Sequence, residues 1–200
     1  VLILVRHGES TLNAAGALAG RLDAPLTTLG ASQASAVAAL LGPLSELRSS
    51  SLLRARQTAE LVSDRRPIVI DDRFLEIDYG ELDGTPLGEM PEGLWDRWTT
   101  DASFTPPGGE SLVTLGERVA GALEELFAAP GAGARDDAGD VVVVSHVSPI
   151  KAAVVWALGA DPLLAWRTRL SNGSVTRIAM GPRGPQLLSF NEVPIPPSAR

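Results

Sequence analysis

Two aliphatic runs, Val1-Leu2-Ile3-Leu4-Val5 and Val141-Val142-Val143-Val144, each end in a short polar turn that carries one of the chain's two histidines, His7 and His146. A continuous apolar run of this length reads as a strand buried on both faces, as in a parallel sheet covered by helices. In open α/β sheets ligands bind in the crevice beyond the carboxyl ends of the strands, and both histidines fall there. A single isolated histidine is most often a satisfied core or surface residue. Two at matching strand ends, one of them beside an arginine, point to nucleophilic or acid–base chemistry near neutral pH.

Between and after these runs, apolar strands alternate with helical patterns, which predicts an α/β domain with a largely parallel sheet. A loop from Thr11 to Leu26 leads to Thr27, a cap for a helix running to Leu41 and closed by Gly42-Pro43. A second helix is expected over about Leu52 to Val62, capped by a serine of Ser49-Ser50-Ser51. Ile68 to Ile70 reads as a short strand, and Phe74 to Gly80 as a loop. After the break at Pro106 to Gly109, Leu112, Leu115, Val119, Leu123 and Leu126 recur at helical spacing and mark a core helix, with Ser111 as its N-cap. Residues 129 to 139 read as a flexible Gly/Ala/Asp loop. Ser148-Pro149 marks a helix start running to Leu158, and Asp161-Pro162 repeats the signal. Ser174 to Met180 and Gln186 to Phe190 read as late strands, with an extended tail from about residue 192. The whole of 1–200 is expected to form a single domain.

Composition removes several classes of function. There is no cysteine, so no disulfide framework or thiolate metal site, and neither histidine has a second one at i+4, so no metal is expected. A formal charge of −7 and a pI near 4.8 argue against a general nucleic-acid binder. No apolar stretch approaches the roughly 20 residues of a membrane span, and the Val1–Val5 run is too short for a signal peptide. A soluble, cytoplasmic protein is expected, with no membrane partner; a homodimer is left open.

Arg6-His7-Gly8 has its own logic, because glycine permits a sharp turn and close approach to a ligand, while a guanidinium beside an imidazole suits a phosphate beside a nitrogen nucleophile. The tripeptide gains specificity from five further segments that occur in order along the chain: Glu9-Ser10-Thr11-Leu12-Asn13; Asp23-Ala24-Pro25-Leu26 through Ala34; Ser50-Ser51-Leu52-Leu53-Arg54-Ala55-Arg56; Leu75-Glu76-Ile77-Asp78-Tyr79-Gly80; and Ser145-His146. The chain resembles the histidine phosphatase superfamily, the phosphoglycerate-mutase-like family, over residues 1 to 180. The resemblance implies a three-layer α/β/α fold with a mostly parallel central sheet, and no cofactor.

It also implies roles. His7 would take the phosphoryl group on a ring nitrogen, with Arg6, Arg54, Asn13 and His146 around its oxygens. Glu76 would protonate the leaving oxygen and then deprotonate the attacking water. The set makes chemical sense, since phosphoryl transfer needs positioning and cancellation of charge on three oxygens. His7 must be neutral, which nearby arginines favour, whereas bound phosphate favours a charged His146. Optimal activity is expected on the acidic side of neutral. Arg56 reads as a surface residue, Asp78 and Glu81 compete with Glu76 as the acid, and Glu110 reads as a helix-start carboxylate. The tryptophans read as packing, with Trp95 and Trp98 as candidate walls of the substrate pocket.

Two departures from the family pattern stand out. Where many members carry glycine after the second histidine, this chain has Val147 in Ser145-His146-Val147-Ser148-Pro149, like the acid phosphatase and α-ribazole-phosphate phosphatase branch; the Val147 N–H is expected to reach phosphate. Ala19 precedes Gly20 where relatives often carry glutamine. The function implied is a phosphomonoester hydrolase acting through phosphohistidine on small phosphorylated metabolites. A cofactor-dependent phosphoglycerate mutase is the rival, but such mutases carry a Lys/Arg-rich insertion after the Tyr-Gly segment, and Glu81 to Glu92 is short and acidic here. A non-catalytic phosphate-binding protein on the same fold is the third reading.

Overall fold

The strand β1 (Leu2–Arg6) sends Leu2 and Leu4 into one apolar cluster and Ile3 and Val5 into another on its opposite side. Side chains alternate between the faces of a strand, so a run without polar residues needs cover on both sides. The computed structural model, which describes residues 1–128 and 139–195, provides that cover. After β1 come α1 (Thr11–Ala14), α2 (Thr28–Leu40), β2 (Leu44–Ser49), α3 (Leu53–Val62), β3 (Val69–Ile70), α4 (Leu94–Thr100), α5 (Leu112–Ala128), β4 (Asp140–Ser145), α6 (Val147–Leu158), β5 (Val175–Gly181) and β6 (Gly184–Glu192). Leu115, Val119 and Leu123 of α5 and Ile150 and Ala153 of α6 cover one face; Val37 of α2 and Ala55, Ala59 and Val62 of α3 cover the other. The result is three layers, α/β/α.

The six strands lie in the order β3-β2-β4-β1-β5-β6. β3, β2, β4 and β1 run parallel, and β5 and β6 close one side antiparallel. Central strands are buried and edges are not: Val142, Val143 and Val144 are 0% exposed, Val69 45% and Leu188 53%. At about 1.5–3 kcal/mol for each fully buried aliphatic side chain, the β4–β1 centre contributes most of the sheet's stability. That centre also carries the two histidines.

Several boundaries differ from expectation for identifiable reasons. β2 is absent from the sequence pattern because Leu-Ser-Glu-Leu-Arg-Ser has apolar residues three apart. A register shift between Leu44 and Glu46 lets both leucines face the same core, since a bulge inserts one residue and breaks the period of two. No serine caps α3. Leu52 occupies the cap position, and Asp23 from the preceding loop accepts the Leu53 N–H at 2.7 Å. Helix α6 starts at Val147, before the Ser148-Pro149 signal, with His146 in the cap position. The loop expected from Thr11 holds the one-turn α1, and α4 went unanticipated. Thr27 and Ser111 do cap their helices, accepting the N–H groups of Gly30 at 3.0 Å and Thr114 at 3.1 Å. Of the expected 129–139 loop only Gly139 lies within the described residues, and β6 reaches Glu192, where the tail was expected to begin; residues 196–200 lie outside them.

Trp98, Trp95, Trp166, Phe104 and Tyr79 form one aromatic cluster, with Trp98 only 1% exposed and Trp95 37% exposed. Trp98 packs at the centre of this cluster and Trp95 lies at its open side. Among the described residues no helix is long and apolar enough to cross a membrane.

Candidate active site

The parallel register of β1 and β4 pairs Arg6 with Ser145, so the next residue on each strand is a histidine. The His7 N–H donates to the Ser145 carbonyl at 3.0 Å, and the two rings lie 5.0 Å apart between centroids. Both side chains are buried, at 2% and 0% exposure. The sheet's hydrogen bonding alone thus sets side by side two residues that are remote in sequence.

Their ring nitrogens are held differently. His7 Nδ1 lies 2.6 Å from the Gly8 carbonyl, which can only accept, so Nδ1 carries the proton and Nε2 keeps its lone pair. His146 Nε2 lies 2.6 Å from the Ser50 hydroxyl, while its Nδ1 is buried without a partner. A hydroxyl can donate or accept, so the proton of neutral His146 can sit on either nitrogen, and Nδ1 is a donor whenever the ring is charged. Burial, then the charges of Arg6 and Arg54, holds His7 well below its ordinary value; burial, then Arg54, does the same to His146. Without a bound anion both imidazoles are therefore neutral. The charged His146 expected from the sequence requires the phosphoryl group to be present.

The turn after β1 is packed without clearance. A Cβ on Gly8 would sit 2.1 Å from the Gly30 carbonyl oxygen, and one on Gly30 would sit 2.1 Å from the Glu9 oxygen. Thr58 of α3 accepts the Gly8 N–H at 3.1 Å and donates to the Arg54 carbonyl at 2.8 Å, tying the His7 turn to the helix that carries Arg54.

Arg54 is 0% exposed, whereas Arg56 is exposed, as the helix register requires. The Arg54 guanidinium donates to the carbonyls of Ala19 at 2.8 Å, Gly20 at 2.7 Å and Leu22 at 2.9 Å, and its Nε is buried without a partner. The carbonyl loop is itself pinned, because the Asp83 carboxylate accepts the N–H groups of Gly20, Arg21 and Leu22 at 2.7, 2.6 and 2.9 Å. Ala19 thus serves the site through its backbone, which any residue could do. Arg6 donates to the Leu170 carbonyl and also has a buried, partnerless Nε; burial pushes its pKa down to about 10.

Glu76, 4% exposed, accepts N–H groups from Ile77 at 2.8 Å and Ser148 at 3.1 Å on Oε1, and from Val147 at 3.2 Å on Oε2. It therefore caps α6 from across the site, where a carboxylate meets the positive end of the helix. The Val147 N–H, expected on phosphate, is given to Glu76 instead. Asn13 Oδ1 accepts from Ser10 N–H at 3.2 Å, Ser10 Oγ at 3.0 Å and Asn172 Nδ2 at 3.1 Å, so its amide NH2 is left to donate elsewhere. Of the competing acids, Asp78 accepts the nearby Gly80 N–H at 2.8 Å, and Glu110 is paired with Arg118 at 2.7 and 2.8 Å. Glu110 is therefore a buttress under the Asp78–Gly80 turn and not a helix-start carboxylate.

Sequence reasoning missed Ser50, Asn172, Asp83 and Thr58, whose roles depend on partners remote along the chain. Among the described residues no cluster of three or more His, Asp or Glu is placed to hold a metal ion. The buried nitrogens without a partner at this site are Arg6 Nε, Arg54 Nε and His146 Nδ1; the two guanidinium N–H groups, and His146 once charged, suit an oxyanion.

Comparison with known proteins assigns the family. The model of the histidine phosphatase superfamily (branch 1) matches residues 2–193. The chain belongs to that superfamily. It is 34% identical over 198 residues to phosphoserine phosphatase 1 of Hydrogenobacter thermophilus, covering 95% of this chain and 91% of that one. It is 33% identical over 183 residues to bifunctional protein Rv2228c of Mycobacterium tuberculosis, which is 88% of this chain but 49% of that protein. The chain thus spans about half the length of that relative. The structure of the mycobacterial glucosyl-3-phosphoglycerate phosphatase Rv2419c superposes with a TM-score of 0.86 at 28% identity, covering 96% of this chain and 98% of that one.

Proposed function

We propose that this superfamily member is a phosphomonoester hydrolase that acts on small phosphorylated metabolites through a phosphohistidine on His7. The observation that carries the reading is the tautomer of His7: with Nδ1–H committed to the Gly8 carbonyl, Nε2 is the lone pair left to attack. Arg6, Arg54, Asn13 and His146 supply donors for the three equatorial oxygens, where preorganised charge does most of the catalytic work. The Hydrogenobacter relative and the mycobacterial structure, both phosphatases by name, support the class of reaction.

In the first step His7 Nε2 forms a bond to phosphorus as the P–O ester bond breaks, and protonated Glu76 gives its proton to the departing alkoxide. In the second, water attacks phosphorus, Glu76 takes its proton, the N–P bond breaks and inorganic phosphate leaves. Glu76 Oε1 already accepts two N–H groups and Oε2 one; Oε2 therefore has the free lone pair for the travelling proton. The acid-type subclass and a cytoplasmic location belong to this proposal. Because burial keeps His7 neutral well below pH 6.5, the nucleophile stays competent at mildly acid pH.

The test is phosphate release from a panel of phosphomonoesters, with mutase activity measured in parallel, and mass spectrometry after an acid-free quench. Phosphate is expected on His7. Phosphate on Ser10, Ser111 or His146, or mutase turnover exceeding hydrolysis, would replace this reading.

A further inference from the structure

Arg21 lies one residue beyond Gly20, whose carbonyl holds Arg54, and its own N–H is fixed by Asp83 at 2.6 Å. Its backbone is therefore as rigidly placed as the phosphoryl-binding arginine. Its side chain is held only by a long ion pair to Glu110. Nε is buried without a partner, and the nearest carboxylate oxygen, Glu110 Oε2, is 3.7 Å from NH2, beyond hydrogen-bond range. The other well-placed arginines differ: Arg118 makes bonds to Glu110 and to the Arg73 and Glu76 carbonyls, and Arg73 makes bonds to Asp71 and Glu125. Among the described arginines a buried, partnerless Nε occurs at Arg6, Arg54 and Arg21. Two of these face the transferring group.

Arg118 joins the Glu76 carbonyl to the Glu110 carboxylate, so Glu110, and Arg21 beside it, stand on the Glu76 side of the site. That is the side toward which the leaving alcohol departs. Burial first, then Arg54, His7 and Arg6, hold His146 neutral, and Arg21 adds the smallest of these contributions.

Resting on the phosphatase reading above, we propose that Arg21 binds a carboxylate on the alcohol portion of the substrate, so that the preferred substrates are phosphomonoesters of hydroxycarboxylic acids. A guanidinium fork matches a carboxylate with two parallel hydrogen bonds, and Arg21 has all its side-chain donors to give. Releasing Arg21 from Glu110 costs little, since Glu110 keeps two shorter bonds to Arg118. A neutral or cationic alcohol leaves the buried Nε of Arg21 without a partner, and this penalises such substrates.

The experiment measures kcat and KM for 3-phosphoglycerate, phosphoserine, phosphoethanolamine and p-nitrophenyl phosphate with the wild-type chain, Arg21→Gln and Arg21→Lys. The wild type is expected to favour the two carboxylated esters over phosphoethanolamine. Arg21→Gln should reduce that preference about 10- to 100-fold, the worth of a bidentate charge-assisted pair, chiefly through KM; Arg21→Lys should restore part of it. A preference that moves less than about twofold would overturn the proposal, as would a wild type that cleaves p-nitrophenyl phosphate but favours phosphoethanolamine. A wild type inert toward all four esters would sink the phosphatase reading itself. Turnover of p-nitrophenyl phosphate separates the two failures, because that ester has no carboxylate.

Discussion

His7 and His146 are the same residue, at the same end of adjacent strands and equally buried, yet they are prepared for opposite work. The partner of His7 is a backbone carbonyl, which allows one tautomer and leaves Nε2 bare. The partner of His146 is a serine hydroxyl, which can donate or accept, so this ring can be neutral or take a proton as the anion beside it demands. Strand geometry delivers the two rings; in the mechanism proposed above, one hydrogen bond apiece separates the nucleophile from the donor.

The sharpest way to break that comparison is to delete each ring. His7→Ala should abolish turnover, a loss on the order of 10⁴–10⁶ as for other covalent nucleophiles, with the circular dichroism spectrum unchanged. His146→Ala should retain more, about 10²–10³ below wild type, as for loss of one transition-state donor. Equal losses would mean that the two hydrogen bonds do not divide the labour.

In the proposed mechanism Arg54 shares the donor role with His146, so Arg54→Ala should also cost about 10²–10³ in kcat. The exposed Arg56, two residues on, should be silent when changed to alanine. Steady-state rates of both variants check this, and comparable damage from Arg56→Ala would misplace the phosphoryl pocket on α3.

In acid the two histidines should behave alike. Each is held neutral by burial well below 6.5, while the unfolded chain takes up both protons near that pH. The unfolded state binds more protons, so stability is complete above about 6.5 and falls as pH drops below it, by about 1 kcal/mol per histidine per pH unit. Thermal melts between pH 7.5 and 5.5 should show the decline, and His7→Gln should make it shallower. A melting temperature that is flat across the window would contradict the neutral, buried rings.

The smallest effect sharpens the comparison most. Ser50→Ala removes only the partner of His146 Nε2 and should slow turnover about 2- to 10-fold, the worth of one hydrogen bond. No equivalent side-chain change exists for His7, whose partner is backbone.

Much of this was legible in the sequence where the signal is local. Unbroken aliphatic runs reveal β1 and β4, and with them the histidines; the Leu112 to Leu126 spacing reveals α5; helix register separates Arg54 from Arg56. What escaped depends on partners remote in the chain. β2 hides because its bulge replaces alternation with a three-residue spacing. Ser50 looks like one serine of three, and its meaning comes from His146. Asp83 sits in an acidic stretch, yet it fixes the 20–22 loop and through it Arg54. The Val147 N–H went to Glu76 because a carboxylate seventy-one positions earlier reaches the start of α6.

The Arg6–Ser145 pairing has a further meaning for how activity arises in time. Until residue 145 has been synthesised and has docked beside residue 6, His7 and His146 are not side by side, so a growing or half-unfolded chain lacks the assembled site. Assembly of the site is a late event in folding, since contacts between distant segments form after local ones. On the phosphatase reading proposed above, the rate of phosphate release would double as a gauge of how many molecules have completed the central sheet.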